Sequence, residues 1–522
     1  MPLPSDVELP LNTSKMKTKF PIIALCFLSS GWCLPAQTHS DLANPADTLV
    51  ISPAQPLAVA EKKLRQTVFA RCQEMLAAPA GQFGAQPSAA VFPGPVAPGT
   101  VRIARTVKLQ HVPPDAAMLR LITPLDYSDP FSPNLYSTAL YAAPGEVVSV
   151  EIPEALVGKL QVQIGCHSDN LNEWVAAGEP WRRMPLLVNH TLLKSTHTLA
   201  SNPFGGLIYI TCPPTNAAWS ADITISNAVM APEFILGQTT DAGWKTMVES
   251  SGAPWGELCT SNLIIMLPTH VLKKISDPTA RMQLWDNVIG AEMDLAQLPT
   301  PFYRAQRLVT DVHIGGGFMH SGYPIMVHHC PEKNMSTEDF ISDPAQFAQP
   351  ANGGPNWGFF HEIGHNMQNQ DWVFDGTTEV SVNLFSLYSF DKIAGGRDNA
   401  HAGVSNKGTQ KMLRSYFSRP ADFKKWQADP FLALTTFRLI QNDFGWELFK
   451  RAFRRYQELP DDQRPRGDDE KRDRFVRYFS EAAGRNFAPY FSLWGIPLSD
   501  GLKHDLKKYP EWIPYNFPPR AD

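Results

Sequence analysis

The segment that most constrains this chain is His361-Glu362-Ile363-Gly364-His365, inside NWGFFHEIGHNMQ. Residues i and i+4 of an α-helix share a face, so a helix here places both imidazoles against one metal ion. Glu362 follows the first His directly and can reach a water beside that ion as general base. Phe359, Phe360, Ile363 and Met367 supply apolar side chains for the other faces, which predicts a helix buried within a domain rather than one lying on its surface.

Two carboxylates compete for the place of a third ligand. Asp371 lies six residues after His365, but a ligand at that distance needs a sharp chain turn, and the position where a glycine would make it is Gln368. Glu379 fits better. Gly376 ends the first helix, Thr377 or Thr378 caps a second, and Glu379 stands in its first turn, where an acidic group is also favoured by the helix dipole. Two His and one carboxylate leave a fourth zinc position open for water, the arrangement of a catalytic site.

The rest of the chain reads as several domains. Its 522 residues contain 46 Pro and 11% aromatics, a composition of sheets and loops rather than of a helical bundle. A net charge of −5 argues against a dedicated nucleic-acid binder. Residues 1–36 read as a signal peptide, with a basic Met16-Lys17-Thr18-Lys19 start, a short apolar run and Leu34-Pro35-Ala36 before the cut; Met16 opens the better signal. Residues 37–99 hold an amphipathic helix over 61–78 and a Pro/Gly-rich linker over 79–99. Short strand-like runs broken by Pro and Gly predict an antiparallel β-sandwich over 100–235, and 236–522 reads as a mainly helical catalytic domain. The fold class is therefore multidomain α+β. Two of the seven Cys fall in the signal; Cys72, Cys166, Cys212, Cys259 and Cys330 are too sparse for a disulfide framework, and none has CxxC spacing.

HEIGHNMQ, then Trp372, then TTEVSVNLFSLY resemble the signature of M60-like (enhancin-type) zinc metallopeptidases. The resemblance extends over about 135–500, through TALYAAPGEVVSV, WRRMP, NPFGGLIYI and MHSGYPI. It implies a β-sandwich ahead of a gluzincin-like domain, one Zn²⁺ per chain on His361, His365 and Glu379, and Glu362 as general base. Secreted bacterial members resemble mucin-degrading O-glycopeptidases. The expected activity is accordingly hydrolysis of peptide bonds next to O-glycosylated Ser or Thr in mucin-like proteins by a secreted bacterial enzyme, with neither a nucleic-acid partner nor a transmembrane anchor. The alternatives are a non-catalytic glycan-binding or adhesion protein on the same scaffold, and a metallopeptidase blind to glycans.

Around this centre the sequence offers further candidates. Residues 312–323 (VHIGGGFMHSGY) stand where zincins place the edge strand that receives substrate, and Gly316 and Gly317 would let a peptide or sugar approach the backbone. Tyr323 could donate to a developing oxyanion. Asn366, Trp372 and Asn383 are the nearest groups with which to bind a sugar. His313, His320, His328 and His329 share no i,i+4 spacing, so each is expected to be satisfied or solvent-facing.

Overall fold

The computed structural model describes residues 44–174, 178–329, 341, 355–396 and 400–519. The expected signal peptide and Cys330 lie outside the described residues. Two sheets organise the rest. The first is all antiparallel, in the order Asn189–Leu192, Gln161–Ile164, Gly206–Cys212, Asn134–Ala142, Trp219–Met230, Val147–Glu151, His197–Ser201, with Ile103–His111 also paired to Trp219–Met230. That long strand belongs to both leaves of a sandwich. It pairs with Ile103–His111 and Val147–Glu151 up to Ala228, then passes Val229 and Met230 across to Tyr141 and Leu140. The crossing follows Asn227, whose φ of 61° lies in the left-handed region that Asn tolerates better than most residues. Val148, Val150, Ile223 and Ile225 from one leaf close on Val162, Ile164, Ile208 and Ile210 from the other.

The second sheet is mixed, in the order Met319–His320, Ile325–His328, Gln306–Asp311, Leu263–Pro268, Trp255–Cys259, Glu233–Ile235. The helix Pro278–Ala296 is the crossover between the parallel neighbours Leu263–Pro268 and Gln306–Asp311. Beyond this sheet the described residues are mainly helical. Because Glu233–Ile235 pairs with Trp255–Cys259, the sandwich ends a strand earlier than residue 235. A three-residue apolar run carries no local sign of which sheet it will join.

Two expectations about connecting segments need correction. The 79–99 stretch does not behave as a free linker. Phe92 is buried, Tyr141 donates to the Gly94 carbonyl at 3.0 Å, and Trp255 donates to the Pro93 carbonyl at 2.7 Å. It is a strap across the seam between the two sheets, held there by apolar burial that its composition did not reveal. The second correction concerns 112–133, between the first two sandwich strands. Ile122 and Leu125 are fully buried in the core of the helical domain, and Gln370 N–H donates to the Pro124 carbonyl at 2.8 Å. This excursion carries Tyr127 into the cleft described below.

Arg307 anchors the seam. It is buried, and its guanidinium reaches Glu257 Oε1 (3.2 Å), the Leu135 carbonyl (2.5 Å) and Ser137 Oγ (3.1 Å), so one cation ties the sandwich to the mixed sheet. Arg183 and Asp311 form a second buried pair at 2.9 Å.

Candidate metal centre

Two helices build the site. Pro355–Met367 carries His361, Glu362 and His365; Thr378–Ile393 carries Glu379 and Asn383. The first is buried through Phe359, Phe360, Ile363 and Met367, and Phe359 meets Trp285 edge-to-face with ring centroids 5.2 Å apart. Gly364 lets the helices approach. A Cβ there would stand 2.8 Å from Phe385 Cβ and 3.2 Å from Val382 Cγ2. The glycine inside the motif is thus a crossing point, a role its sequence neighbours do not announce.

Three ligand-type atoms converge. His361 Nε2 lies 3.1 Å from His365 Nε2 and 3.1 Å from Glu379 Oε2, and His365 Nε2 lies 3.7 Å from the same oxygen. Tetrahedral ligands about 2.0–2.1 Å from a zinc ion stand about 3.3 Å from one another, so the spacing suits such an ion. The far side of each ring fixes its tautomer. His361 Nδ1–H donates to Asn383 Oδ1 at 2.9 Å, and His365 Nδ1–H donates to Gln368 Oε1 at 2.6 Å. Both amide oxygens can only accept, so each Nδ1 carries the proton and each Nε2 lone pair faces the centre. The amide nitrogens then clamp the helices together. Asn383 Nδ2 donates to the Glu379 carbonyl (2.7 Å), and Gln368 Nε2 donates to the Thr378 carbonyl (2.9 Å) and Ser381 Oγ (2.8 Å).

The centre opens into a cleft of about 550 Å³ lined by Tyr127, Gly315–Gly317, Met319, His320, Glu362 and Thr378 among others. Burial raises the Glu362 carboxyl above the ordinary range, although both site imidazoles pull it down. Met319–His320 is the edge strand of the mixed sheet, and Gly316 and Gly317 lie on the loop before it.

Several sequence candidates lie elsewhere. Asp371 forms an ion pair with Arg464 at 2.7 Å. Trp372 is fully buried, stacked on Phe453 at 4.2 Å, and so is core rather than a sugar platform. Asn366 is also fully buried; its side chain bonds Gly322 N–H, the Gly322 carbonyl and Gln306, which holds the chain beyond the edge strand. Asn383 is spent on His361. The Tyr323 hydroxyl accepts from Leu135 N–H and Arg307 Nε at the seam and does not line the cleft. Each of these side chains is claimed by a tertiary partner that sequence spacing cannot reveal. Sequence reasoning missed Tyr127, whose ring lies 5.0 Å from that of His365 and whose hydroxyl stands 3.4 Å from Thr378 Oγ1. Its 234-residue separation from the motif left no local signal. His320, expected to be an unremarkable His, lines the cleft and bonds Asp169 at 2.9 Å.

Residues 227–495 match the model of the family peptidase M60, enhancin and enhancin-like, and residues 132–226 match that of the N-terminal domain of M60-like peptidases. The chain belongs to the M60 peptidase family. Among curated relatives, TRPM8 channel-associated factor 3 of Rattus norvegicus is 38% identical over 72% of this chain and 40% of its own length. TRPM8 channel-associated factor 2 of Homo sapiens is 34% identical over 72% and 39%. The chain therefore spans about two fifths of these relatives. Among solved structures, the ZmpB metallopeptidase of Clostridium perfringens aligns with a TM-score of 0.58 at 17% identity, over 78% of this chain and 80% of that one. IMPa of Pseudomonas aeruginosa, in complex with an O-glycopeptide, aligns at 0.56 and 15% identity, over 79% and 52%. These likenesses establish a shared fold, a β-rich N-terminal domain followed by a mostly helical one. Among the described residues no helix is long and apolar enough to cross a membrane, and Cys72, Cys166, Cys212 and Cys259 are free and buried.

Proposed function

We propose that the protein is a secreted zinc endopeptidase that cleaves O-glycosylated, mucin-like proteins beside a glycosylated Ser or Thr. The observation that carries the reading is the convergence of two tautomer-locked Nε2 atoms and Glu379 Oε2 in one cleft with Glu362. His361, His365 and Glu379 would hold one zinc ion, which supplies Lewis-acid polarisation of the scissile carbonyl and of the attacking water. Glu362 takes a proton from that water and returns it to the leaving amine nitrogen. Tyr127 donates its phenolic hydrogen towards the carbonyl oxygen as negative charge develops there. The edge strand Met319–His320 offers backbone groups to an extended substrate. The Gly316–Gly317 backbone leaves room for a sugar, and Phe318, 39% exposed, offers it an aromatic face.

The glycan preference is supported by the fold shared with IMPa, whose structure holds an O-glycopeptide. The test is a matched peptide pair differing in one O-linked sugar, incubated with zinc-loaded protein. Cleavage of the glycosylated member alone is expected. Equal cleavage of both discards the glycan requirement and leaves a general peptidase. A second reading, a non-catalytic binding protein, is favoured by the identity to channel-associated factors; zinc-loaded protein that cleaves neither peptide would support it.

A further inference from the structure

The cleft wall is held from the other domain. Asp169, in the sandwich loop after Gln161–Ile164, is largely buried, and its Oδ2 accepts from Gly315 N–H at 2.5 Å and from His320 Nε2–H at 2.9 Å. One carboxylate oxygen therefore grips both ends of the segment 315–320, which contains the three glycines and the edge strand. The other ring nitrogen of His320, Nδ1, faces the Ser321 carbonyl at 2.9 Å. Both nitrogens meet only acceptors, an arrangement fully satisfied by the doubly protonated ring alone.

We propose that Asp169 and His320 form a clasp that positions the 315–320 segment to receive an extended substrate, with Asp169 acting as a positioning residue. This rests on the peptidase reading above. The titratable and charged groups facing the pair are Arg183, Asp311 and His167 beside Asp169, and Glu362 beside His320. Burial pulls the His320 imidazolium down, but the bond and charge of Asp169 outweigh it and raise it above its ordinary value. The clasp is complete below that ordinary value; as pH rises through the raised one the ring loses one proton, and with it one of its two bonds and the positive charge that strengthens the contact with Asp169. Substrate binding should then weaken on the alkaline side while the chemistry at Glu362 continues.

The experiment has two arms. In zinc-free protein, His320 is titrated by NMR in the wild type and in Asp169→Asn; the wild-type ring should titrate above an ordinary His and the variant's should fall. In zinc-loaded protein, KM and kcat are followed against pH on the glycopeptide. Asp169→Asn and His320→Gln should each raise KM about tenfold at neutral pH with kcat little changed, and each should flatten the alkaline rise in KM. The double variant should cost no more than either single, since both break one clasp. Circular dichroism and zinc content show whether the variants are folded. A cleaving wild type whose KM is flat with pH, a His320 that ignores Asp169→Asn, or variants with unaltered KM would overturn the clasp and leave the peptidase standing. A loaded wild type that cleaves neither peptide removes the peptidase reading and the clasp with it.

Discussion

Asn383 Oδ1 accepts the Nδ1 proton of His361 at 2.9 Å, and this one bond turns the first imidazole of the motif into a lone-pair donor aimed at Glu379 and His365. Asn383 lies a helical turn beyond Glu379, so the residue that orients one ligand sits on the helix that supplies another. Asn383→Ala should therefore weaken zinc binding about 10–100-fold, read by competition with a chromogenic chelator. Unchanged affinity would mean that the second helix does not set the tautomer.

Glu362→Gln should keep its zinc and its fold and lose about 10²–10⁴-fold in kcat, because an amide cannot take the water's proton. Metal analysis and turnover on the same preparation check this. A fully active variant removes Glu362 as the base.

Glu379 and Asp371 separate cleanly. Glu379→Ala should release zinc during dialysis, whereas Asp371→Ala should keep it. The second change breaks the ion pair with Arg464 and should lower unfolding stability by about 1–2 kcal/mol. Zinc lost from Asp371→Ala and kept by Glu379→Ala would reverse the assignment.

Trp372→Ala should cost about 3–5 kcal/mol of stability, through the cavity left beside Phe453 and Tyr456. Chemical denaturation measures that loss. A stable variant with selectively weakened glycopeptide binding would return Trp372 to the cleft.

Glu233 gives a pH signature remote from the site. Burial, then the neighbouring charge of Glu257, lifts its carboxyl to about 7. The folded state holds the proton more tightly than the unfolded chain, so stability should fall as pH rises from the ordinary carboxyl range through 7. Glu233→Gln should remove this loss, by at most about 3 kcal/mol. Its thermal midpoint should match the wild type at pH 4.5 and exceed it at pH 8. Parallel midpoints across that range would place Glu233 in a more solvated setting.

What could be read from sequence is what periodicity and spacing encode. The i,i+4 histidines, the acid beside the first and the new helix bearing Glu379 are local facts, because helix geometry fixes which neighbours share a face, although the first helix ends at Met367 rather than at Gly376. The short strand-like runs broken by Pro and Gly announced the sandwich, because strand and turn residues are also local signals. Tertiary structure decided what each remaining polar side chain would do. Trp372 and Asn366 look like site residues by proximity in the chain, yet apolar burial draws the Trp372 ring against Phe453 and Tyr456, and the buried amide of Asn366 finds its partners in Gln306 and Gly322. Tyr127 and Asp169 look unrelated to the motif, yet loops of the sandwich bring the first beside His365 and the second onto His320. The cleft is assembled from two domains, and no one-dimensional pattern records which loops of one will meet the sheet edge of the other.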